Sequence, residues 1–305
     1  MQIAFTTTLP KKGFARLAAE HSLSVPLEKA EVLVSTFDKP VTREMIASAP
    51  NLRLIANFGA GYNNIDLDAC RERGIRVTNT SRSVVEPTAE LAFALMHAVA
   101  RRTVEFDKNM RKRGGVEFGV MNNLSHSLYG RTLGIIGMGR IGKALAKRAN
   151  ALGMDVIYHN RRQLCIEDET KLNVTYVSKE ELLAKADFVS LNAPYTPDTY
   201  HILGEEEFKQ MKPSAILINT ARGPLVDEHA LVKALREGTI HGAGLDVFEF
   251  GDYPLPELLE MDNVVLTPHI GTQTMETRII MARTVCNNVI GFLEGDRPVS
   301  RVLRP

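Results

Sequence analysis

Three closely spaced glycines, Gly137, Gly139 and Gly142, are the residues whose type and spacing most directly suggest a chemistry. They follow an apolar run, Thr132–Ile136, and precede a helical pattern with one apolar face. In that setting the first glycine permits a tight turn and the second lets the backbone approach a pyrophosphate. The third lets the helix pack closely on the strand. The motif therefore predicts a dinucleotide-binding site.

Two flanking segments concern the phosphates of such a ligand. A helix that begins at Arg140 and Ile141 offers free N–H groups and its positive dipole end. The next predicted strand ends at Asn160, where a site for NAD usually has an acidic residue on the ribose hydroxyls. A neutral Asn160 followed by Arg161 and Arg162 attracts a 2′-phosphate instead, so we expect NADP to be favoured, with NAD possible. If the arginines are only solvated surface charges, either cofactor would bind.

The rest of the sequence alternates short apolar runs with helical patterns, which is typical of a parallel sheet with crossover helices. Strands are predicted at Ile3–Thr6, Val32–Ser35, Arg53–Asn57, Thr132–Ile136, Asp155–Tyr158, Phe188–Asn192, Ala215–Asn219, Gly242–Val247 and Val264–Thr267. Helices are predicted at Lys12–His21, Thr42–Ala49, Asp66–Arg73, Glu86–Arg102, Arg140–Leu152, Lys179–Ala184, Glu205–Met211, Glu228–Arg236 and Thr274–Leu293. The last six strands predict a doubly wound sheet.

The length of 305 residues is comfortable for two domains. Within the helix from Glu86, the run Leu91–Met96 is apolar on every side, which predicts burial between domains or in a subunit interface, so we take this helix as the entry to a second domain. The last helix is long enough to return to the first domain. We therefore predict a substrate (catalytic) domain of residues 1–98 and 275–305, and a dinucleotide-binding domain of residues 99–274. The segment from Arg111 to Leu128 is predicted to be a loop that could reach a neighbouring subunit.

Composition excludes several classes of partner. Lys plus Arg (37) nearly balances Asp plus Glu (36), so neither nucleic acid nor an anionic membrane is expected. Cys70, Cys165 and Cys286 are odd in number and far apart, which predicts no disulfide framework and no metal site. The sequence shows no signal peptide and no long apolar run. We expect a cytoplasmic protein that acts on a small molecule.

Five motifs, in order along nearly the whole chain, carry a resemblance to a known family. They are Asn57–Asp66, Gly137–Gly142, Asn219–Gly223, Gly244–Phe248 and Thr267–Gly271. In these motifs the chain resembles the D-isomer-specific 2-hydroxyacid dehydrogenases, of the glyoxylate/hydroxypyruvate reductase or phosphoglycerate dehydrogenase-like type without a regulatory domain. The resemblance implies an α/β fold with a Rossmann-fold dinucleotide-binding domain inserted into a smaller flavodoxin-like substrate domain. It also implies an active-site cleft between the domains, a homodimer, and hydride transfer between NAD(P)H and a small 2-keto or D-2-hydroxy acid.

The resemblance also implies roles for single residues. Arg222 would bind the carboxylate and carbonyl of the substrate, which suits a planar bidentate donor. His269, at the end of a strand, would donate a proton in reduction and accept it in oxidation. The backbone N–H groups of Ala60 and Gly61 would hold the substrate carboxylate. Positions that match residues lining the cofactor are Thr88, Pro194, Thr220, Ala221, Asp246 and Gly271.

One position departs from the family pattern. A glutamate that pairs with the catalytic histidine usually stands five residues after the aspartate of the Asp-Val-Phe motif, and here that position is Gly251. Asp252 would serve as the third catalytic residue if the loop is shifted by one residue, whereas Glu249 is expected to point away. If neither helps, His269 works unassisted, with a less basic imidazole.

Three functions remain to be compared. The first is the dehydrogenase. The second is a cofactor-binding sensing or interaction protein with weak turnover on the same scaffold, which Gly251 favours and the intact Arg222 and His269 disfavour. The third is a relative of formate or phosphite dehydrogenases, against which the plain Thr-Pro-His motif and short N-terminus speak. Within the dehydrogenases, glyoxylate or hydroxypyruvate suits NADPH, and branched or aromatic 2-keto acids stay open.

Overall fold

The computed structural model describes residues 1–7, 9, 11–112, 114–295 and 300–303. The strands are β1 (Gln2–Phe5), β2 (Ser22–Leu23), β3 (Val32–Thr36), β4 (Leu54–Phe58), β5 (Arg76–Thr78), β6 (Thr132–Ile136), β7 (Asp155–His159), β8 (Thr175–Tyr176), β9 (Phe188–Leu191), β10 (Ile216–Asn219), β11 (Gly242–Leu245), β12 (Val264–Leu266) and β13 (Arg301–Leu303). The α-helices are α1 (Ala15–Glu20), α2 (Arg43–Ser48), α3 (Leu67–Glu72), α4 (Val85–Ala100), α5 (Thr103–Met110), α6 (Arg140–Ala151), α7 (Ile166–Leu172), α8 (Lys179–Lys185), α9 (Glu205–Gln210), α10 (Glu228–Arg236), α11 (Pro256–Leu259) and α12 (Met275–Leu293). None of the helices in the described ranges is long and apolar enough to cross a membrane.

The chain divides into two compact units. The first consists of Met1–Val85 and Thr272–Pro305, and the second of Glu86–Gly271. The sequence placed this boundary at residue 98, within the helix predicted at Glu86–Arg102, which the structure gives as α4. Leu95 and Val99 of α4 pack directly on two glycines of the second unit's sheet, so the helix lies with that unit. The predicted segment 275–305 includes residues 296–299 and 304–305, which lie outside the described residues.

The described part of the first unit contains a six-stranded sheet in the order β13-β5-β4-β3-β1-β2. The strands from β1 to β5 are parallel, and β13 pairs with β5 in the antiparallel direction. Every residue of β3 and β4 is buried, as expected for parallel strands covered on both faces. The order 2-1-3-4-5 of the parallel strands is that of flavodoxin-like sheets.

The second unit is built on a seven-stranded sheet in the order β12-β11-β10-β9-β6-β7-β8. All of its pairings are parallel. Numbered from β6, this order contains the 3-2-1-4-5-6 arrangement of a Rossmann fold, with one further strand. The predicted fold class is therefore confirmed. The order reverses between β6 and β9, and ligands of such sheets bind outside the carboxyl ends of the strands at that point.

Side-chain caps explain where several helices begin. Thr42, the first residue of the predicted helix Thr42–Ala49, accepts a hydrogen bond from the N–H of Met45 at the start of α2 (3.3 Å). Asp66 and Asp227 do the same for α3 and α10. Each such cap is worth about 1 kcal/mol of helix stability. The capping residues thus determine the first residue of each of these helices, which the apolar pattern alone predicts only to within a residue or two.

Candidate active site

Most of the residues predicted to do chemistry in the second unit follow the strands of one sheet. Because these strands are parallel, their carboxyl ends meet at one edge. The residues in question are Gly137 after β6, Asn160 after β7, Pro194 after β9, Thr220, Ala221 and Arg222 after β10, Asp246 after β11, and His269 after β12. The fold therefore brings residues 137–269 of the prediction to a common edge, which is where doubly wound sheets bind their ligands.

The glycine-rich turn has the geometry that its sequence predicts. Gly137 has a φ of +102°, and a Cβ there would lie 2.5 Å from the backbone nitrogen of Ala193. A Cβ at Gly142 would lie 2.6 Å from the carbonyl oxygen of Gly137. At Gly139, which precedes α6, a Cβ would meet no atom within 4 Å. The first and third glycines are thus required by packing, whereas Gly139 faces open space that fits the close approach of a pyrophosphate.

The turn after β7 carries two free cations. Asn160 Oδ1 accepts a hydrogen bond from the N–H of Met138 (2.7 Å), which ties this turn to the glycine-rich turn. Arg161 and Arg162 are exposed, and no described carboxylate lies within ion-pair distance of either. Since the oxygen of Asn160 is occupied, its amide N–H groups remain available as donors. The turn offers donors and positive charge, which fit a phosphate ester.

Two buried oxygens at the same edge have no hydrogen-bond partner within the described structure: Asn192 Oδ1, after β9, and Thr220 Oγ1, after β10. Buried polar atoms normally have partners, and these two oxygens are free to accept hydrogen bonds from a ligand at this edge. Sequence reasoning included Thr220 and missed Asn192. A polar residue that ends an apolar run beside the point where strand order reverses would have been the signal.

Arg222 lies in a turn that Asn219 holds on both sides. The Asn219 side chain donates to the carbonyl oxygen of Arg222 (2.9 Å) and accepts from the N–H of Ala221 (3.0 Å). Burial lowers the pKa of Arg222 from its usual value. No described carboxylate lies within ion-pair distance of its guanidinium, which donates instead to the carbonyl of Ala221 (2.5 Å). A desolvated guanidinium of this kind can accept a carboxylate from a ligand.

The residue after Arg222 must be glycine. A Cβ at Gly223 would lie 1.8 Å from the carbonyl oxygen of Phe248 and 2.5 Å from the nitrogen of Glu249. The turn that carries Arg222 therefore packs backbone against backbone on the loop after β11. This approach fixes Arg222 relative to the segment that begins with Asp246.

The turn that carries His269 is held by Asp246. The Asp246 side chain is buried, and its Oδ1 accepts hydrogen bonds from Thr267 Oγ1 (2.6 Å) and from the N–H of Ile270 (2.8 Å). Its Oδ2 accepts from the N–H of Gly271 (3.0 Å), and its carbonyl oxygen accepts from the N–H of His269 (3.0 Å). Burial raises the pKa of Asp246, and the three hydrogen bonds to its carboxylate oppose that rise.

Both carboxylate oxygens of Asp246 are thus committed within the chain. His269 itself has a φ of +53°, an uncommon value for a residue with a side chain. Sequence reasoning assigned Asp246 to cofactor binding and did not foresee that it positions the histidine turn. Thr88, also predicted for the cofactor, is buried and lies beside Gly271, where a Cβ would come within 3.5 Å of its hydroxyl.

The acidic residues after β11 differ in their surroundings. Glu249 Oε1 lies 2.5 Å from His201 Nε2, and its Oε2 accepts a hydrogen bond from the N–H of Glu228 (3.0 Å). Both oxygens of the Glu249 carboxylate therefore already have partners, His201 and the N–H of Glu228. Gly251 has a φ of +118°, and Asp252 beside it is exposed.

In the first unit, Ala60 and Gly61 lie in the loop after β4. Asn79 Nδ2 donates to the carbonyl oxygen of Ala60 (2.9 Å), and Asn57 Nδ2 donates to that of Gly61 (2.7 Å). Within the described structure no acceptor is bonded to the N–H groups of these two residues. With the carbonyls tied down and the N–H groups unused, the loop can donate to an anion. Nowhere among the described residues do three or more His, Cys, Asp or Glu side chains form a group that could hold a metal.

Comparison with known proteins is consistent with this geometry. The sequence profile of the D-isomer specific 2-hydroxyacid dehydrogenase NAD binding domain matches residues 93–271. A glyoxylate reductase of Thermococcus litoralis is 48% identical over 280 residues, which are 90% of this chain and 84% of that protein. The crystal structure of a glyoxylate reductase from Paecilomyes thermophila superposes with a TM-score of 0.90 at 35% identity, over 99% of this chain and 98% of that one. An NADPH-dependent glyoxylate/hydroxypyruvate reductase of Sinorhizobium meliloti, solved with NADP and malonate, gives a TM-score of 0.88 at 29% identity, over 99% and 96% of the two chains.

Proposed function

Because the chain belongs to the D-isomer specific 2-hydroxyacid dehydrogenase family and is an NAD(P)-dependent enzyme of that kind, we propose that it reduces a small 2-keto acid of the glyoxylate or hydroxypyruvate type. The relatives named as glyoxylate reductases support this substrate class. They also favour the enzyme over a sensing protein with weak turnover.

We assign the chemistry to residues of the strand edge. The glycine-rich turn of Gly137, Gly139 and Gly142 would hold a reduced nicotinamide cofactor, which when bound would supply the hydride for the carbonyl carbon. His269, as imidazolium, gives its proton to the carbonyl oxygen and regains one from solvent, while Arg222 binds the substrate carboxylate through its two-pronged guanidinium. In the first unit, we propose the unused N–H groups of Ala60 and Gly61 as donors to a carboxylate of the substrate. The observation that carries this assignment is that the Asp246 carboxylate accepts hydrogen bonds from the N–H groups of Ile270 and Gly271, and so positions the turn of His269.

We propose that NADPH is preferred over NADH. The side-chain oxygen of Asn160 is occupied by Met138, so its amide group is left to donate, and Arg161 and Arg162 are exposed without ion-pair partners. A dianionic 2′-phosphate would gain charge-assisted hydrogen bonds here, whereas the ribose of NADH would gain only neutral ones. The NADPH-dependent reductase among the solved relatives supports the same preference.

We also propose that Asp252 takes the place of the family glutamate missing at Gly251. A carboxylate near His269 would raise the pKa of the imidazole, and reduction requires the protonated form. We therefore expect Asp252→Asn to shift the loss of kcat/KM for reduction to lower pH. A pH–rate profile that is the same in both proteins would remove Asp252 from the mechanism.

The family resemblance supports a further proposal, on the assembly of the protein and its location. We propose a cytoplasmic homodimer in which the first unit is the substrate domain and the second the dinucleotide-binding domain. Phe118, Val120 and Met121, exposed in the segment before β6, provide apolar surface for a second copy. Light scattering after size-exclusion chromatography should give twice the mass of the chain, and a monomer would contradict this.

Initial rates of reduced-cofactor oxidation test the proposal as a whole. NADPH and NADH are compared over 2-keto acids from glyoxylate to phenylpyruvate. We expect turnover with glyoxylate or hydroxypyruvate, faster at limiting NADPH than at limiting NADH. Turnover confined to branched or aromatic acids would overturn the substrate class, and equal use of both cofactors would overturn the NADPH preference. Cofactor binding without turnover of any acid would restore the sensing protein.

A further inference from the structure

The turn that carries Arg161 and Arg162 has no regular secondary structure, yet it is held by a buried tyrosine. Tyr158, in β7, is fully buried, and its hydroxyl accepts a hydrogen bond from the N–H of Leu164 (2.9 Å). The same hydroxyl donates to Glu169 Oε1 in α7 (2.6 Å). The two arginines therefore lie between two points that are fixed to the sheet, at Tyr158 and Leu164.

The carboxylate of Glu169 fastens the turn a second time. Its Oε1 also accepts a hydrogen bond from Gln163 Nε2 (3.0 Å), so one oxygen receives both Tyr158 and Gln163. The start of the turn is held as well, because the Tyr176 hydroxyl donates to the carbonyl oxygen of Asn160 (3.2 Å). Burial, followed by the hydrogen bond to Glu169, raises the pKa of Tyr158 to about 12, which keeps this hydroxyl a donor.

We propose that Tyr158 and Glu169 are positioning residues for cofactor selectivity, which hold Arg161 and Arg162 in the geometry that binds a 2′-phosphate. The inference rests on the NADPH preference proposed above. Long, exposed arginine side chains lose conformational freedom when they bind a phosphate. A fixed backbone in the turn that carries them reduces that loss. Selectivity therefore depends on two buried side chains that lie outside the exposed arginine pair.

A role confined to stability makes a different prediction. If Tyr158 and Glu169 only attached α7 to the sheet, their removal would lower the melting temperature and weaken all adenine nucleotides alike. If they position the arginines, their removal weakens ligands that carry a 2′-phosphate more than ligands that lack it. The ratio of the two affinities separates the two roles, because a partly unfolded sample lowers both affinities together.

The experiment measures binding of 2′,5′-ADP and of 5′-AMP to the full chain by isothermal titration calorimetry. We expect Tyr158→Phe and Glu169→Met to lower the affinity ratio of 2′,5′-ADP to 5′-AMP about five- to tenfold, as the loss of one or two buried hydrogen bonds implies. Glu169→Gln should retain the ratio, since an amide oxygen can accept from both Tyr158 and Gln163. Tyr129→Phe is the matched control, because Tyr129 is 75% exposed and lies outside the turn.

The outcomes separate this inference from the proposal beneath it. If the double variant Arg161→Ala/Arg162→Ala loses the preference for 2′,5′-ADP while Tyr158→Phe and Glu169→Met keep it, the positioning role is wrong and the NADPH proposal stands. If the double variant keeps the preference, both are wrong. If Glu169→Gln loses the ratio as fully as Glu169→Met, the shared acceptor oxygen is not what holds the turn. Should Tyr158→Phe fail to fold, the two Glu169 variants decide alone.

Discussion

Replacement of Asp246 by asparagine should damage catalysis far more than stability. Oδ1 of Asp246 accepts two hydrogen bonds and Oδ2 accepts one, from the N–H of Gly271. An asparagine keeps the two bonds by placing its oxygen at the Oδ1 position, and its NH2 group then faces the N–H of Gly271. One hydrogen bond to a charged acceptor is lost, worth about 1.5–3 kcal/mol, and the turn that carries His269 loses one of its anchors.

The stability change is smaller because the charge is removed at the same time. Burial raises the pKa of Asp246, so the ionised carboxylate is in an unfavourable environment despite its hydrogen bonds. A neutral asparagine avoids that penalty, which offsets much of the lost bond. We expect a change in the free energy of unfolding within about 1 kcal/mol, or a few degrees in Tm. The loss of the anchor should lower kcat/KM about 10- to 100-fold.

Asp187→Asn provides a matched control at the opposite edge of the same sheet. Asp187 Oδ2 accepts from the N–H of Thr132 (2.9 Å), and its Oδ1 pairs with Lys212 Nζ (3.0 Å). This variant should lower Tm and leave kcat/KM unchanged per folded molecule. Steady-state kinetics with saturating NADPH and thermal melts of both variants make the comparison. Retention of kcat/KM within about threefold in Asp246→Asn would refute the positioning role of Asp246.

Four further predictions concern the same edge. Arg222→Lys should raise the KM for the keto acid and lower kcat/KM about 10- to 100-fold, because an ammonium cannot replace a bidentate guanidinium; an unchanged KM would contradict the assignment. Gly223→Ala should lose about 1–3 kcal/mol of stability and most activity, since its Cβ would lie 1.8 Å from a backbone oxygen, and a urea melt that matches wild type would refute this. The folded-state pKa of Asp246 lies above its unfolded value, so its contribution to stability is present below the unfolded pKa and lost as pH rises through the folded pKa. Urea melts should therefore show wild type gaining stability relative to Asp246→Asn from neutral pH down to about pH 4. Gly251→Glu should lose about 1–3 kcal/mol in such melts because of the φ of +118°, and its pH–rate profile should stay that of wild type; a basic limb shifted upward would show that a glutamate can act from this position.

The strands and helices in which apolar residues recur at regular spacing could be predicted from the sequence. The nine predicted strands correspond to described strands, and the glycine motif lies between β6 and α6 as expected. Short elements were missed: β8 (Thr175–Tyr176) has two residues, too few to show alternation, and α7 (Ile166–Leu172) opens with three acidic residues and has little apolar face. The run Leu91–Met96 of α4 was predicted to be buried, and Ala94 within it is exposed in the single chain.

Site residues that act through their own backbone or charge could be named from the sequence, whereas contacts between distant segments could not. The spacing of Gly137 and Gly142 shows their packing roles directly. The hydrogen bonds between Asp246 and the turn of His269 join segments more than twenty residues apart, and no local sequence pattern indicates them. Tyr158 likewise resembles an ordinary strand residue until its hydroxyl is placed between Leu164 and Glu169.

The ends of the second unit lie close together. Thr88, in its first helix, is adjacent to Gly271, its last residue, within ordinary van der Waals range of a side chain there. A continuous segment whose two ends lie close together can be replaced by the same segment of a related protein without distortion of the rest of the chain. Recombination at these two joints would transfer the glycine turn, the arginine pair and the catalytic histidine together, while Ala60 and Gly61 stay with the recipient. Chimaeras cut at residues 86 and 271 therefore test whether the cofactor preference moves with the second unit.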